Sequence, residues 1–175
     1  MDKNDIIEIK DFFDEADAKT IWAYHTKPRW KFGHGSNHAD DIRFWQMELS
    51  DDEYFSKELY RKVLEEVGED YVLERVYANG HVFGTCGAAH HDSFNTLART
   101  VLYYANPIWK PAWGGKTAFS LNDENHYVLP EPNKLVIFPG IIPHWAEESS
   151  RSFTGLRMTV AWKLIHESEH QTRTA

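Results

Sequence analysis

From residue 71 onwards the chain consists of short β-rich runs separated by glycine, proline and asparagine, and this pattern constrains the fold most strongly. Many short strands at such spacing are typical of an antiparallel sandwich or barrel. A chain of 175 residues with 42% hydrophobic content can bury a sizeable core without disulfides or a structural metal. The predicted strands cover residues 71–77, 100–105, 116–120, 126–129, 135–138, 144–147 and 155–164.

Two helices are predicted before the β-rich region. The first covers about residues 14–25, and the second begins at Ser50-Asp51-Asp52-Glu53, a capping-box pattern, and ends near Gly68. We expect these helices to buttress a sheet. The predicted fold is therefore mainly β with flanking helices (α+β). The predicted organisation is a single domain over residues 1–166, with helical support in 1–70, a β core in 71–166 and a flexible polar tail in 167–175.

Charge and composition limit the binding partners and the cellular location that the sequence predicts. A net charge of −8 gives no basic footprint, so nucleic acid is not a predicted partner. The first five residues are too polar for a signal sequence, and the single Cys86 cannot form an internal disulfide. No apolar run reaches the roughly 18 residues that a membrane span requires. These features predict a cytoplasmic protein that does not enter a membrane.

The residues that indicate chemistry are His90-His91-Asp92 and a distant His144. On an extended segment the period of two places His90 and Asp92 on one face and His91 on the other. Two imidazoles and one carboxylate form a facial triad, which leaves coordination positions open and suits a non-heme Fe(II) centre that activates dioxygen. We therefore predict His90, Asp92 and His144 as metal ligands.

A second motif lies on the last predicted strand, where Arg157 and Thr159 share one face. A buried guanidinium needs an anionic partner and pairs a carboxylate in bidentate fashion, while a neighbouring hydroxyl adds a hydrogen bond. The pair is predicted to hold the distal carboxylate of a dicarboxylic cosubstrate whose other end chelates iron. Arg151 is a competing anion binder, but it lies in a serine-rich segment typical of a solvated turn.

With these motifs in order, residues 71–164 resemble the 2-oxoglutarate and Fe(II)-dependent dioxygenases, particularly the prolyl 4-hydroxylase-like branch. The ordered set is far more specific than His-x-Asp alone. The gap between His144 and Arg157 is somewhat longer than is common in the family. The matching stretches are Tyr77-Ala78-Asn79-Gly80, His90-x-Asp92, residues 100–106, Gly114-Gly115-Lys116-Thr117-Ala118-Phe119, residues 132–139, and His144 with residues 155–162.

The resemblance implies a double-stranded β-helix of the jelly-roll or cupin type, with Fe(II) as cofactor, 2-oxoglutarate as cosubstrate and O2 as oxidant. It implies that His90, Asp92 and His144 bind the iron and that Arg157 binds the C5 carboxylate of 2-oxoglutarate. Tyr104 and Tyr77 match positions that help to bind the cosubstrate or line the pocket. Whether Tyr103 or Tyr104 points inward depends on a one-residue register.

The function expected from the resemblance is hydroxylation of a prolyl or similar amino-acid unit in a peptide or protein, with release of succinate and CO2. One alternative is a tailoring oxygenase that acts on a small molecule such as a free amino acid or a natural product. Another is a non-catalytic β-helix protein that binds a metal or an anion. Residues 30–41 are polar and contain glycine, and they form either a lid over the pocket or a passive surface loop.

Overall fold

The structure is a computed structural model that describes residues 1–36 and 42–169. Within these residues the chain forms ten strands, most of them short. Their bounds are β1 (Ile7–Ile9), β2 (Lys31–His34), β3 (Phe44–Glu48), β4 (Tyr71–His81), β5 (Arg99–Tyr104), β6 (Thr117–Leu121), β7 (Glu124–Val128), β8 (Lys134–Pro139), β9 (His144–Ala146) and β10 (Arg157–His166).

The strands form two antiparallel sheets that enclose a cavity. The large sheet has the order β1-β8-β5-β10-β4-β3-β2, and the small sheet has the order β7-β6-β9. Residues of both sheets line the cavity, among them Thr159 of the large sheet and His144 of the small one. The predicted double-stranded β-helix is confirmed, and each of the seven predicted strands is present with ends shifted by no more than a few residues, the largest extension being β4.

The first 70 residues contain more β-structure than the sequence predicted. β2 and β3 extend the large sheet beyond β4, and β1 covers its other edge by pairing with β8. β1 is only three residues long, and in β3 the buried residues Phe44 and Met47 are three apart. Neither strand therefore shows the period of two that identifies a half-buried strand in sequence.

Two α-helices lie in the front region, α1 (Glu15–Ala23) and α2 (Tyr60–Val67), and a π-helical turn (Tyr54–Leu59) leads into α2. The Asp14 carboxylate accepts a hydrogen bond from the Asp17 N–H at 2.8 Å and caps α1. Gly68, at φ +107°, ends α2 as predicted. Short 3₁₀ turns occupy Lys3–Asp5, Tyr24–Thr26 and Pro111–Trp113.

The capping box predicted at Ser50 is wrong. The Ser50 hydroxyl donates to the Glu48 carboxylate at 2.7 Å, so it is turned away from the helix. The Asp52 carboxylate instead accepts a hydrogen bond from the Tyr54 N–H at 3.2 Å, and the Asp52 carbonyl accepts the N–H groups of Phe55 and Ser56. The helix therefore starts two residues later because Asp52 competes for the same role.

β10 separates the two interior regions of the protein. Met158, Val160 and Trp162 are buried in the cluster that joins the large sheet to the helices, where the Trp162 indole N–H donates to the Phe55 carbonyl at 3.0 Å. The alternate residues Arg157, Thr159, Ala161 and Lys163 line the cavity instead. A bulge between Lys163 and Leu164 ends this alternation against β4.

A second apolar cluster fills the space between the two sheets on the far side of the cavity. It includes Phe119 of β6 and Phe138 of β8, whose rings meet edge to face at 4.9 Å between centroids. The remaining members of the cluster are Ile6, Tyr104, Leu121, Val128, Val136 and Ile142. This packing adjoins the cavity, since Phe138 also lines it.

Among the described residues, no helix has the length and apolar character needed to span a membrane. The predicted tail at 167–175 lies outside the described residues from 170 onwards.

Asn133 ties the N-terminal segment to the large sheet, and we expect its loss to destabilise the fold. Its side chain accepts hydrogen bonds from the Phe13 N–H at 3.0 Å and the Tyr103 hydroxyl at 3.1 Å, and donates to the Phe13 carbonyl at 2.8 Å. Asn133→Gly preserves the positive φ of 55° but removes these bonds, so the free energy of unfolding should fall by about 2 kcal/mol.

Urea unfolding measures this change, with Asn122→Gly as the matched control. Asn122 also has a positive φ, 47°, and its side chain forms no hydrogen bond to another described residue. An equal loss of stability in both variants would contradict the role assigned to the Asn133 side chain.

Candidate active site

The three predicted metal ligands meet in the lining of the cavity. His90 and Asp92 lie between β4 and β5, and His144 is the first residue of β9. Their ligand atoms all lie within 4.8 Å of one another. The Asp92 carboxylate oxygens are 3.5 Å from His90 Nε2 and 3.3 Å from His144 Nε2. The structure therefore brings together a two-His, one-carboxylate set.

Main-chain hydrogen bonds hold this set in place. The N–H of His90 donates to the His144 carbonyl at 3.1 Å, and the N–H of His144 donates to the His90 carbonyl at 3.0 Å. The Asp92 N–H donates to the Gly140 carbonyl at 2.9 Å. These bonds join His90 to His144 on β9 and join Asp92 to Gly140 in the turn that precedes β9. The backbone therefore sets the spacing of the three residues.

The histidine ring orientation suits a metal ion. Nδ1 of His90 lies 2.9 Å from the Ala88 carbonyl oxygen, and Nδ1 of His144 lies 2.9 Å from that of Ile142. A carbonyl only accepts, so each Nδ1 carries a hydrogen, and Nε2 of each ring is the atom that points towards Asp92 and is available as a metal ligand. Burial lowers the pKa of His144, which keeps this ring neutral. Two imidazole Nε2 atoms and one carboxylate that face one another fit a divalent cation.

Two residues of the large sheet hold one oxygen of Asp92. The Thr100 hydroxyl donates to Oδ2 at 2.6 Å, and the Lys163 ammonium forms an ion pair with the same oxygen. Burial alone would raise the pKa of Asp92, but Lys163 holds it well below the usual range. Burial alone would lower the pKa of Lys163, and Asp92 more than offsets this, so that pKa is raised. Both groups are charged near neutral pH.

Arg157 is a buried cation without a carboxylate partner. Its residue surface is 1% exposed, its Nε–H donates to the Gly115 carbonyl at 2.7 Å, and an Nη2–H donates to the Thr117 hydroxyl at 3.1 Å. Among the described residues, no carboxylate oxygen lies within 4 Å of its guanidinium. Since an unpaired buried charge is costly, the remaining donors fit an anionic ligand.

Gly115 allows the close approach of Arg157. At φ +65°, a Cβ on Gly115 would stand 2.8 Å from the Ser149 hydroxyl, 3.0 Å from the Trp109 ring and 3.2 Å from Arg157 Cδ. Only glycine fits there. The pair Gly114-Gly115 was visible in the sequence, but its contact with Arg157 was not.

The cavity has a volume of about 320 Å³, which lies at the lower end of the range for small-molecule sites. The triad, Arg157, Thr159 and Tyr77 all line it. Tyr104 is buried beneath the cavity wall, where its hydroxyl donates to Thr117 at 2.7 Å, and its ring lies 5.6 Å from the Arg157 guanidinium. Tyr104 therefore supports Arg157 from behind.

The register of β5 resolves the choice between the two tyrosines. Tyr104 pairs with Thr159, which lines the cavity, whereas Tyr103 pairs with Val160 and belongs to the cluster on the helical side. The Tyr103 hydroxyl donates to Asn133, away from the site. Tyr104 is therefore the inward residue.

The competing anion binder Arg151 lies outside the cavity. It is exposed and its guanidinium lies 5.2 Å from the Phe83 ring centroid. His91 is exposed at the rim, where Nδ1 lies 2.7 Å from the Ile141 carbonyl oxygen. Of the segment considered as a lid, residues 31–34 form β2, and residues 37–41 lie outside the described part of the chain.

Two cavity residues were missed by sequence reasoning, Lys163 and His81. Lys163 follows an apolar run, so its pattern gave no sign of burial. His81 pairs across the sheet with Arg157, is 2% exposed, and neither ring nitrogen has a hydrogen-bond partner among the described residues. Its ring packs on Phe44 with centroids 4.4 Å apart.

His81 should make stability depend on pH. Burial, and then Arg157 and His34, lower the pKa of His81 from 6.5 to about 3. As the pH falls, His81 of the unfolded chain binds a proton at a higher pH than His81 of the folded chain. The contribution of neutral His81 to the free energy of unfolding is therefore fully present above pH 6.5 and is lost as the pH falls towards 3. Between pH 6 and 4, the free energy of unfolding of the wild type should fall by about 1 kcal/mol per pH unit more than that of His81→Phe. Urea unfolding at each pH measures the two slopes, and identical slopes would contradict the assignment.

The fold and the triad define a class of metal-dependent oxygenases, and comparison with known proteins gives the family. A sequence profile of the 2OG-Fe(II) oxygenase superfamily matches residues 76–162, about half of the chain and the part that carries every predicted ligand. The chain belongs to this superfamily and is a 2-oxoglutarate-dependent dioxygenase. The family uses Fe(II), 2-oxoglutarate and O2. No curated protein sequence matches the chain.

Solved structures with the same fold include prolyl hydroxylases. A prolyl hydroxylase from Trichoplax adhaerens, in complex with a hypoxia inducible factor peptide fragment, is 17% identical with a TM-score of 0.74, over 97% of this chain and 87% of that one. A Pseudomonas putida prolyl-4-hydroxylase is 16% identical with a TM-score of 0.66, over 90% and 91%. HygX from Streptomyces hygroscopicus, with nickel and 2-oxoglutarate bound, is 9% identical with a TM-score of 0.70, over 91% and 82%.

Proposed function

We propose that this chain is a hydroxylase in which His90, Asp92 and His144 hold Fe(II). The observation that carries the proposal is the convergence of two Nε2 atoms and one carboxylate in the lining of a cavity that also contains a buried arginine without a carboxylate partner among the described residues. Three protein ligands on one face leave the other coordination positions for cosubstrate and oxygen.

We infer that Arg157 and Thr159 bind the distal carboxylate of 2-oxoglutarate. Both line the cavity on one face of β10, and the guanidinium keeps donors that no described residue uses. Tyr77 lines the same cavity from β4 and supplies a hydroxyl near Lys163. Tyr104 acts through Thr117, because its hydroxyl is already committed there.

When bound, Fe(II) supplies the activation of dioxygen that couples oxidation of 2-oxoglutarate to succinate and CO2 with conversion of a substrate C–H bond to C–OH. The chain's own residues orient the reactants and restrict water. The Phe138 ring packs edge to face on His144 at 4.7 Å between centroids, and Phe119 stacks near the same imidazole at 6.0 Å. This apolar wall keeps solvent from the inner side of the triad.

For the substrate, we propose a prolyl or similar amino-acid unit in a peptide or protein. The support is the likeness in fold to prolyl hydroxylases, one of which was solved with a peptide fragment. The second candidate is a small molecule. HygX, which shares the fold, was solved with hygromycin B bound. In this chain, the cation Lys163 on the cavity wall favours a substrate with a negatively charged group.

We also propose a cytoplasmic location, on the basis of the single cysteine. A reducing compartment keeps iron in the ferrous state.

Anaerobic titration tests the metal and cosubstrate sites. Fe(II) with 2-oxoglutarate should give a weak visible charge-transfer band in the wild type and none in His144→Ala. His126→Ala is the matched control because His126 lies on β7, the other neighbour of β6, and should keep the band. A wild-type protein without the band would refute the enzyme proposal and favour a non-catalytic binding role.

Arg157→Gln should weaken 2-oxoglutarate binding without weakening metal binding. Loss of one partner of a buried charge pair costs about 2–5 kcal/mol, so the Kd for 2-oxoglutarate should rise about 30-fold or more. Isothermal titration of the Co(II)-loaded protein measures both affinities. Arg151→Gln is the control, since Arg151 is exposed. Equal 2-oxoglutarate affinity in Arg157→Gln and wild type would show that the anion binds elsewhere.

A further inference from the structure

His81 lies in the lining of the cavity with a polar side chain that the described chain leaves unpaired. It is 2% exposed, and neither ring nitrogen has a hydrogen-bond partner among the described residues. Burial, and then Arg157 and His34, lower its pKa, so the ring is neutral and offers one N–H donor and one acceptor. A buried donor without an acceptor is costly, which indicates that a ligand supplies the acceptor.

The position of His81 in the sheet shows which part of a ligand it can reach. His81 on β4 and Arg157 on β10 stand directly opposite each other, and both line the cavity. The side chains of such a pair leave the sheet on the same face, with Cβ atoms about 4.5–5.5 Å apart. An anion that the Arg157 guanidinium holds in the cavity therefore lies beside the imidazole.

The two side chains lean to opposite sides of this face. The Arg157 guanidinium is turned towards β6, where it donates to the Gly115 carbonyl at 2.7 Å and to the Thr117 hydroxyl at 3.1 Å. The His81 ring packs instead on Phe44 of β3, on the other side of β4, with centroids 4.4 Å apart. A carboxylate has about four lone-pair sites. One carboxylate can thus accept from the guanidinium on one side and from the imidazole on the other.

We propose that His81 donates a hydrogen bond to the distal carboxylate of 2-oxoglutarate. This rests on the proposed function, in which that carboxylate is held by Arg157 and Thr159. His81 is then a cosubstrate-binding residue that favours dicarboxylic over monocarboxylic 2-oxo acids. Within the described chain, none of the hydrogen bonds and ion pairs of the three proposed metal ligands involves His81. A substitution at this position can therefore leave the metal site unchanged.

Anaerobic titration of the Fe(II)-loaded protein with two 2-oxo acids tests the proposal. 2-Oxopentanoate has the same 2-oxo acid end and the same chain length as 2-oxoglutarate, but a methyl group replaces the distal carboxylate. The intensity of the visible band gives the Kd of each acid. His81→Phe should raise the Kd for 2-oxoglutarate about tenfold or more, since a hydrogen bond to a charged group is lost. The Kd for 2-oxopentanoate, which lacks that group, should change by less than about twofold.

Two amide variants and one control separate hydrogen bonding from packing. His81→Asn restores a donor near the position of Nδ1, and His81→Gln restores one near Nε2, so one of them should recover most of the affinity for 2-oxoglutarate. His34→Phe is the matched control: His34 also lines the cavity, but it lies on β2, two strands further from Arg157 than His81. Its Kd for 2-oxoglutarate should stay within about twofold of the wild type. Thermal unfolding verifies that all the variants fold.

Several results would overturn the proposal while the wild-type band, and with it the proposed function, remains. Unchanged affinity for 2-oxoglutarate in His81→Phe would show that the ring does not contact the cosubstrate. An equal loss for both 2-oxo acids, or no recovery in either amide variant, would assign His81 a role in packing only. An equal loss in His34→Phe would show that the effect is not specific to His81. Absence of the wild-type band would instead refute the proposed function itself.

Discussion

Strict alternation along β10 is the constraint on which the rest of the structure depends. Met158, Val160 and Trp162 complete the apolar cluster under the helices, and the alternate positions, which include Arg157 and Lys163, line the cavity. A slip of one residue would place two cations in the helical core and three apolar side chains at the site. The packing of the helices therefore selects the register that builds the site, and stability and function are coupled through a single strand.

The inner face of the large sheet is unusually polar for a protein interior, and its charges are only partly balanced by the chain. Asp92 neutralises Lys163, whereas Arg157 has hydrogen bonds but no carboxylate among the described residues. A burial of this kind is destabilising unless ligands supply the missing charge. The apolar cluster around Phe119 and Phe138 offsets this cost next to the site. An anionic ligand is thus expected to neutralise the charge of Arg157 and to stabilise the fold.

The parts that could be predicted from sequence are those with local signals. The spacing His90-x-Asp92 predicts that both side chains lie on one face of an extended segment. Arg157 and Thr159 predict a polar face on an otherwise apolar strand. The missed parts depend on distant contacts. Lys163 points into the cavity and pairs with Asp92, and the inward direction of Tyr104 follows from its partner in β10. Period and composition within a window carry no information about such pairs.

The geometry also separates metal binding from substrate selection. Backbone hydrogen bonds between His90 and His144, and from Asp92 to Gly140, fix the triad through the small sheet and the turn beside it. Many of the side chains that line the cavity project instead from β10 and β4 of the large sheet. A side-chain change on the large sheet can therefore alter the lining of the cavity while the backbone that places the proposed metal ligands stays the same. One fold can in this way accept different substrates around one conserved type of metal centre.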